Sequence, residues 1–309
     1  MKTKNGIKLF AILIAVIGIS IAGCKKDKSD NTDNTDTKSM QQLSKDEVAV
    51  ESATGDVLND ANTILSGGLG KSMPCNVTID SVSHSTIDTI AYYLTFNGLN
   101  CSGTHMRTGN AIIKKAVGTH WINPGATVSI TYVNLQVTKV SSGKSLTFNG
   151  TKTWENVSGG LVVQLGGSVT SITHRITGAI QATFDDGTTR TWNIARQRVF
   201  TGTLGQLVIT ESGFGSADGY NNLVVWGTNR NGEAFYTQLT SPVAFKQACG
   251  WDPVSGIKIH QIPSDNKSAT ITFGYNDSNQ PVTGSDCPTR YKLDWVKGSH
   301  SGTLYLPLP

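Results

Sequence analysis

The chain has 309 residues, of which 38% are hydrophobic and 16% charged, and it contains 33 Gly, 9 Pro and 5 Cys. This composition excludes a coiled coil, which needs more charge, and a wholly disordered chain, which has fewer apolar residues. The length suffices for one large or two ordinary domains with a buried core. The formal net charge is +4, and three lysines of this excess lie within the first eight residues.

The first 24 residues have the features of a lipoprotein signal peptide. The three early lysines precede an apolar run that is too short to span a bilayer as a stable helix. The run ends at Ile21-Ala22-Gly23-Cys24, which resembles the bacterial lipobox, whose Cys is acylated and becomes the first residue of the mature chain. We therefore predict a signal peptide over 1–23 and lipidation at Cys24. An ordinary secretory signal with a chance Cys is the alternative.

A polar segment follows, and it predicts a flexible, lipid-anchored tether over 24–44. Residues Asp30 to Lys38 include no apolar side chain, so burial cannot offset the entropy cost of ordering them. Residues Cys24 to Asp30 partly resemble the surface-export signal of Bacteroidetes. We predict an outer-membrane anchor, with the body at the cell surface rather than on the periplasmic face.

Because cleavage would remove three lysines, the mature chain is nearly neutral, and we expect no nucleic-acid partner.

One helix is predicted at the start of the body, in the segment 45–69. Ser44 and Glu47 fit a capping box, with Ser44 as N-cap. Apolar residues then recur at helical spacing up to Ile64, and Gly67-Gly68 suits a helix end. We expect one face of this helix to pack on the body, with a partner-binding helix as the alternative.

The remainder, 70–309, consists of short β-prone runs separated by turn residues. Apolar Ile180, Ala182 and Phe184 alternate with polar residues, and 185–187 and 229–232 suit hairpin loops. The fold class is therefore all-β, an antiparallel β-sandwich or extended β-meander preceded by one N-terminal helix. The pattern is compatible both with a single body and with two packed β subdomains, about 70–170 and 171–309. The predicted strands are Asn76–Asp80, Ile90–Phe96, Ala111–Val117, Thr127–Val133, Leu135–Val140, Leu146–Trp154, Gly178–Phe184, Arg190–Ile194, Leu223–Gly227, Ala234–Leu239, Ile257–Gln261, Ala269–Gly274, Tyr291–Val296 and Gly302–Leu306.

Four cysteines remain after Cys24, and an even number in an exported chain predicts disulfides. Four cysteines allow three pairings. We predict Cys75–Cys101 and Cys249–Cys287, because each pair flanks one or two predicted strands and closes a modest loop. A Cys₄ metal site is the alternative, but no two cysteines have Cys-x-x-Cys spacing.

Several stretches of the body resemble a widespread family of uncharacterised Bacteroidetes outer-membrane or surface lipoproteins. The resemblance implies an all-β fold and a lipid-anchored location, and it implies no activity. It lies in Cys75-Asn76-Val77-Thr78-Ile79-Asp80, Leu94-Thr95-Phe96, Asn100-Cys101, Arg107-Thr108-Gly109-Asn110-Ala111-Ile112-Ile113, Pro124-Gly125-Ala126-Thr127-Val128-Ser129-Ile130-Thr131, Asn149-Gly150-Thr151-Lys152-Thr153, Phe184-Asp185-Asp186-Gly187-Thr188-Thr189-Arg190-Thr191-Trp192 and Gly227-Thr228-Asn229-Arg230-Asn231-Gly232.

Motifs for catalysis are missing from the sequence. The six histidines form no metal-binding spacing, and no Gly-x-Ser-x-Gly elbow is present. The adjacent Asp185-Asp186 suits a hairpin turn better than an acid–base pair. We predict no metal, no cofactor and no catalytic residue, and an enzyme is the less favoured class.

Aromatic and basic residues are the stronger indications of binding. Trp251, between Cys249-Gly250 and Asp252-Pro253, is expected in a loop, whereas most other tryptophans suit the core. Arg190, Trp192, Arg196 and Arg198 share the same parity and would lie on one strand face. We expect that face to be a solvated outer face, with an acidic-glycan surface as the alternative.

The sequence thus predicts an outer-membrane lipoprotein that binds a glycan or a protein without catalysis. A structural or adhesive module similar to fimbrillins is the first alternative. A hydrolase with dispersed catalytic groups is the second.

Overall fold

The computed structural model describes residues 31–67, 74–80 and 85–308. The predicted signal peptide, Cys24 and the start of the predicted tether lie outside the described residues. Within these ranges the chain forms one α-helix, α1 (Asn31–Gly67), which precedes all the strands. Neither α1 nor any other described segment combines the length and apolar character of a membrane-spanning helix.

Fifteen strands follow α1 in the described part of the chain, with three 3₁₀ turns at Val162–Gln164, Gln247–Cys249 and Pro263–Asp265. The strands are β1 (Val77–Asp80), β2 (Thr89–Leu99), β3 (His105–Ala116), β4 (Ala126–Lys139), β5 (Ser145–Asn156), β6 (Ser171–Phe184), β7 (Thr189–Thr201), β8 (Val208–Gly213), β9 (Gly215–Ala217), β10 (Tyr220–Thr228), β11 (Ala234–Lys246), β12 (Pro253–Ile262), β13 (Lys267–Tyr275), β14 (Arg290–Lys297) and β15 (His300–Pro307).

All fifteen strands belong to one antiparallel sheet. Its main order is β1 to β7 and then β10 to β15, while β8 pairs with β7 and β11 and β9 pairs with β10. Almost every strand is therefore hydrogen-bonded to its neighbour in sequence, as in an extended meander. This confirms the all-β prediction with one N-terminal helix. Strands β5 and β6, which lie on either side of the subdomain boundary considered at residue 170, are hydrogen-bonded neighbours in this sheet.

Irregularities inside strands explain where the predicted strand limits differ from the observed ones. The predicted strands Thr127–Val133 and Leu135–Val140 are both parts of β4, which continues through a bulge at Asn134, a residue with φ 47°. The predicted strand starting at Gly178 begins instead at Ser171. Gly178 lies in the middle of β6, where a Cβ would approach the carbonyl oxygen of Thr151 to 2.3 Å. Glycine is needed there because the neighbouring backbone lies so close.

The helix starts fourteen residues earlier than predicted, at Asn31, so residues 31–44 of the predicted tether are helical. Ser44 is consequently not an N-cap. It is buried inside the helix and hydrogen-bonds with Tyr291 of β14. The predicted capping box was misleading because Met40 and Leu43, which precede Ser44, are buried against the sheet, so that the helix begins before Ser44. The predicted end at Gly67 is confirmed.

The sheet curves around α1. Ser44 contacts β14, whereas Asp60 contacts Arg107 of β3. Nine strand spacings separate β3 from β14, which is about 43 Å in a flat sheet. The helix rises only about 24 Å between these two residues. Both strands can reach the helix only if the sheet bends, and one hydrophobic cluster accordingly includes residues from α1 and from strands β2 to β14.

Acidic side chains of α1 pair with basic side chains on the concave face of the sheet, which is the face that α1 covers. Asp46 binds Arg230 through two hydrogen bonds of 2.7 and 2.8 Å, and Lys258 donates to Glu47 over 2.7 Å. Further along the helix, Glu51 pairs with Arg196, Asp56 with His105 over 2.9 Å, and Asp60 with Arg107 over 2.5 Å. The helix is therefore held by a row of ion pairs as well as by apolar packing.

Glu47 is the most deeply buried carboxylate of this row. Burial raises the pKa of its carboxyl group, but the combined effect of Lys258 and His260 lowers the pKa by more, to about 2. Thr237 also donates a hydrogen bond to Glu47, at 3.2 Å. Burial lowers the pKa of His260 to about 4 and keeps this histidine neutral at pH 7. Lys258 is consequently the cation that balances Glu47.

Both predicted disulfides, Cys75–Cys101 and Cys249–Cys287, are confirmed. The first joins the segment before β1 to the turn between β2 and β3. The second joins the 3₁₀ turn after β11 to the loop between β13 and β14. Both therefore fix connections at the ends of strands rather than the sheet itself.

We predict that Glu47→Gln lowers the free energy of unfolding by about 3 kcal/mol or more, because it leaves the Lys258 ammonium buried without its carboxylate. Lys45→Ala, at an exposed position two residues before Glu47 in α1, should change stability by less than about 0.5 kcal/mol. Urea denaturation followed by circular dichroism measures both. Equal stabilities of the two variants would contradict a stabilising role of the pair.

His174 makes the fold sensitive to acid. It packs against Trp121, Trp154 and Phe200, with ring centroids 5.0 to 5.4 Å away. Burial, assisted by the positive charge of Arg198, lowers its pKa to about 4. In the unfolded chain histidine titrates near pH 6.5. Between these two pH values the unfolded state binds a proton that the folded state does not, so stability falls as the pH drops.

We expect His174→Phe to reduce the loss of stability between pH 6.5 and pH 4, measured as the shift of the urea midpoint. The buried His260 accounts for a part of the loss that remains. The matched control is His300→Phe at an exposed position, which should leave the pH dependence unchanged. If both variants follow the wild-type curve, His174 does not titrate as described.

Candidate functional site

A cleft of about 310 Å³ opens between α1 and the C-terminal half of the sheet. Its size lies at the lower end of the range of small-molecule binding sites. The helix contributes polar side chains, among them Lys45, Glu51 and Ser52. The sheet contributes an apolar wall that consists of Val243, Phe245, Ile271, Phe273 and Tyr291.

Trp251 lines this cleft and is 40% exposed, in the turn where the sequence predicted it. Its backbone has φ 69°, a left-handed conformation that is unusual for a bulky residue. The preceding Gly250 also has φ 69°. The turn is fixed by the Cys249–Cys287 disulfide and by a 3.0 Å hydrogen bond from the Trp251 N–H to the carbonyl of Lys246.

This conformation costs about 1–3 kcal/mol and persists only because the surroundings impose it. Strain of this kind is concentrated at functional sites. An exposed indole in such a backbone makes Trp251 a candidate for ligand contact.

Carboxylates form part of the polar side of the cleft, together with Lys45, Ser52 and Lys258. Glu211 of β8 is buried and accepts hydrogen bonds from Arg198, at 2.8 Å, and from Arg196, at 3.3 Å. Burial raises the pKa of Glu211, but the two arginines lower it more strongly, to about 2. Glu51 pairs with the same Arg196. Glu211 thus remains ionised at neutral pH and can accept hydrogen bonds from a ligand, but it is not suited to donate a proton.

Asp252 stands next to Trp251 and lines the same cleft. Partial burial raises the pKa of its carboxyl group. Among the described residues, no basic side chain lies within ion-pair distance of it. Its oxygens are therefore open to hydrogen-bond donors from outside the protein.

The predicted basic cluster lies on one face of β7, but the expectation that this face is solvated is wrong. Arg190 and Arg196 are 0% and 4% exposed, because α1 covers them. Arg190 contacts the rings of Trp192 and Phe235 at 4.2 and 4.1 Å, and it donates to the carbonyl of Leu43. Arg198 remains partly exposed beside Glu211.

Of the predicted ligand-binding residues, only Trp251 lines the cleft. Trp192 is 1% exposed and belongs to the core. Arg196 and Arg198 reach the cleft indirectly, through Glu211 and Glu51. The remaining lining residues were missed, because Glu211, Phe245 and Phe273 carry no distinguishing pattern in the sequence. Their proximity arises from pairing of β11 with β8 and β12, and of β12 with β13.

Comparisons with protein-family models, with curated proteins and with solved structures give no match to this chain. In the described ranges, no three His, Cys, Asp or Glu side chains converge as a metal site. The cleft offers a partly exposed indole, an apolar wall, three carboxylates and two lysines.

Proposed function

We propose that the chain is a lipid-anchored lipoprotein of the outer membrane, facing the cell surface, whose body binds a glycan in the cleft beside Trp251. The observation that carries this proposal is the exposed indole of Trp251, held in a left-handed backbone conformation at a cleft of sugar size. The lipidation motif at Cys24 supports the location.

The chemistry of the cleft suits a sugar ring. One face of a pyranose is apolar and can lie on an indole, while its hydroxyl groups donate hydrogen bonds. Trp251 and Phe245 offer aromatic surfaces, and Glu51, Glu211 and Asp252 offer oxygen acceptors. Since Arg196 and Arg198 neutralise part of this negative charge, the cleft does not depend on a strongly cationic ligand.

Binding without catalysis is favoured over hydrolysis. A glycosidase needs one carboxyl group that is protonated at working pH, alongside a second that is ionised. The pKa of Glu211, about 2, makes it unsuitable as the acid. A hydrolase that uses Asp252 as acid and a structural or adhesive module remain the alternatives, and the binding experiment below separates them from the proposal.

We predict that a glycan array probed with the full chain identifies a ligand, and that Trp251→Ala weakens its binding at least about tenfold, or about 1.4 kcal/mol, in calorimetric titration. The reason is the loss of the stacking surface. Phe214→Ala is the matched control, because Phe214 is 43% exposed but lies outside the cleft.

The control should bind as the wild type does. Equal affinity of the Trp251 and Phe214 variants would contradict the assigned site. An array without any ligand would contradict the glycan proposal, and capture of a protein partner instead would favour an adhesive role. Cleavage of an array glycan would favour the hydrolase.

The location has its own test. We predict that the chain expressed in a bacterium incorporates radiolabelled palmitate and sediments with outer membranes. Cys24→Ala should abolish both the label and the membrane association, because the acyl chains supply the anchor. Labelling that persists in this variant would contradict lipidation at Cys24, and a protease-protected body in intact cells would contradict surface exposure.

A further inference from the structure

A second, smaller cavity lies between α1 and strands β5, β6 and β7. Its volume is about 20 Å³, enough for one water molecule or one small ion. Lys152 of β5 and Arg196 and Arg198 of β7 line it, together with Glu51 and Thr54 of α1. Most of the other lining residues are apolar, including Val50, Leu58, Ile176, Trp192 and Ile194.

Positive charge exceeds negative charge around this cavity. Below about pH 7, Lys152, Arg196 and Arg198 supply three cations, whereas Glu51 and Glu211 are the two carboxylates that pair with the arginines. Lys152 makes no ion pair among the described residues. An unbalanced charge inside a protein is costly unless a counterion compensates it.

Hydrogen-bond donors at the cavity also lack acceptors. The Lys152 ammonium has three N–H groups, and it donates one hydrogen bond, of 2.8 Å, to Thr54 Oγ1. The Nε of Arg196 is buried without a hydrogen-bond partner. Both side chains are at least nine-tenths buried, at 5% and 4% exposure. A buried donor without a partner is costly, so an acceptor from outside the chain would stabilise the fold.

Burial lowers the pKa of the Lys152 ammonium group, and Arg196 lowers it further while Glu51 partly offsets this, so that the pKa is about 7. Lys152 therefore carries its full charge below that pH. A negative ion at the cavity would oppose the effects of burial and of Arg196.

We propose that this cavity binds a small monovalent anion, chloride in most surroundings, between Lys152, Arg196 and Arg198. The ion accepts hydrogen bonds from the ammonium group of Lys152 and from the unpartnered Nε of Arg196, and it balances the third cation. A water molecule could accept the same hydrogen bonds, but it would leave the charge unbalanced. Anion binding here does not require glycan binding in the cleft, although Glu51 lines both cavities.

Bromide is the probe for this site, because it substitutes for chloride and scatters X-rays anomalously. Crystals of the chain soaked in sodium bromide should give an anomalous peak in the cavity, within hydrogen-bond distance of Lys152 Nζ and Arg196 Nε. Solution measurements test the energetics. At constant ionic strength, replacing gluconate by chloride should raise the thermal unfolding midpoint, because an ion bound only by the folded state stabilises it.

Lys152→Met keeps the length of the side chain and removes the charge, so it should abolish both the bromide peak and the chloride-dependent shift. Lys144→Met, at an exposed turn, is the matched control and should retain both. If the Lys152 variant does not fold, the wild-type crystal still decides. A cavity that holds only water in bromide, or a midpoint that is the same in chloride and gluconate, overturns the proposal.

Discussion

The pairing of an acidic helix with a basic concave sheet face is the interaction on which the rest of this structure depends. Five carboxylates of α1, from Asp46 to Asp60, meet basic side chains from β3, β7, β12 and the turn after β10. Desolvation makes such pairs weak contributors to net stability, but a pair that is broken leaves a buried charge uncompensated. We infer that their main effect is to specify one position of α1 in the sheet, since any shift along or around the helix would break several pairs at once.

This constraint also determines where the sites lie. Because α1 is held at Asp46 and Glu47 on one side and at Asp56 and Asp60 on the other, its middle turn is positioned over β7 and β8. Glu51 lies on that turn and lines both the cleft and the smaller cavity. Arg196 binds Glu51 and Glu211 together, so one guanidinium group supports the polar side of the cleft and lies at the proposed anion site. Neither cavity would have its charged wall if the helix were displaced.

Features determined by local chemistry could be predicted from the sequence, and features determined by long-range pairing could not. The alternation of apolar and polar residues in β6, the hairpin turns and the two disulfides were predicted from local patterns in the sequence. The inner face of β7 was misjudged because arginines are usually solvated, and because α1, which covers Arg196 and supplies its partner Glu51, lies about 145 positions earlier in the chain. The early start of α1 was missed because Asn31 to Lys38 has no apolar residue, while the burial of Met40 and Leu43 depends on strands far away in sequence. Trp251 was predictable because its exposure follows from its own turn.

Many of the charged side chains of the sheet face α1. Much of the outer sheet face, away from α1, therefore consists of uncharged groups. Cross-strand hydrogen bonds join Thr95 to Asn110, Thr131 to Thr151 and Thr191 to Thr228 there. A face of this kind provides little long-range electrostatic steering, which needs clustered charge of one sign. Recognition by this chain should therefore depend on short-range contacts, and Trp251 offers the largest such surface beside a cleft. That physical limit supports the proposed ligand with apolar and hydroxyl groups, a glycan, over a polyanion.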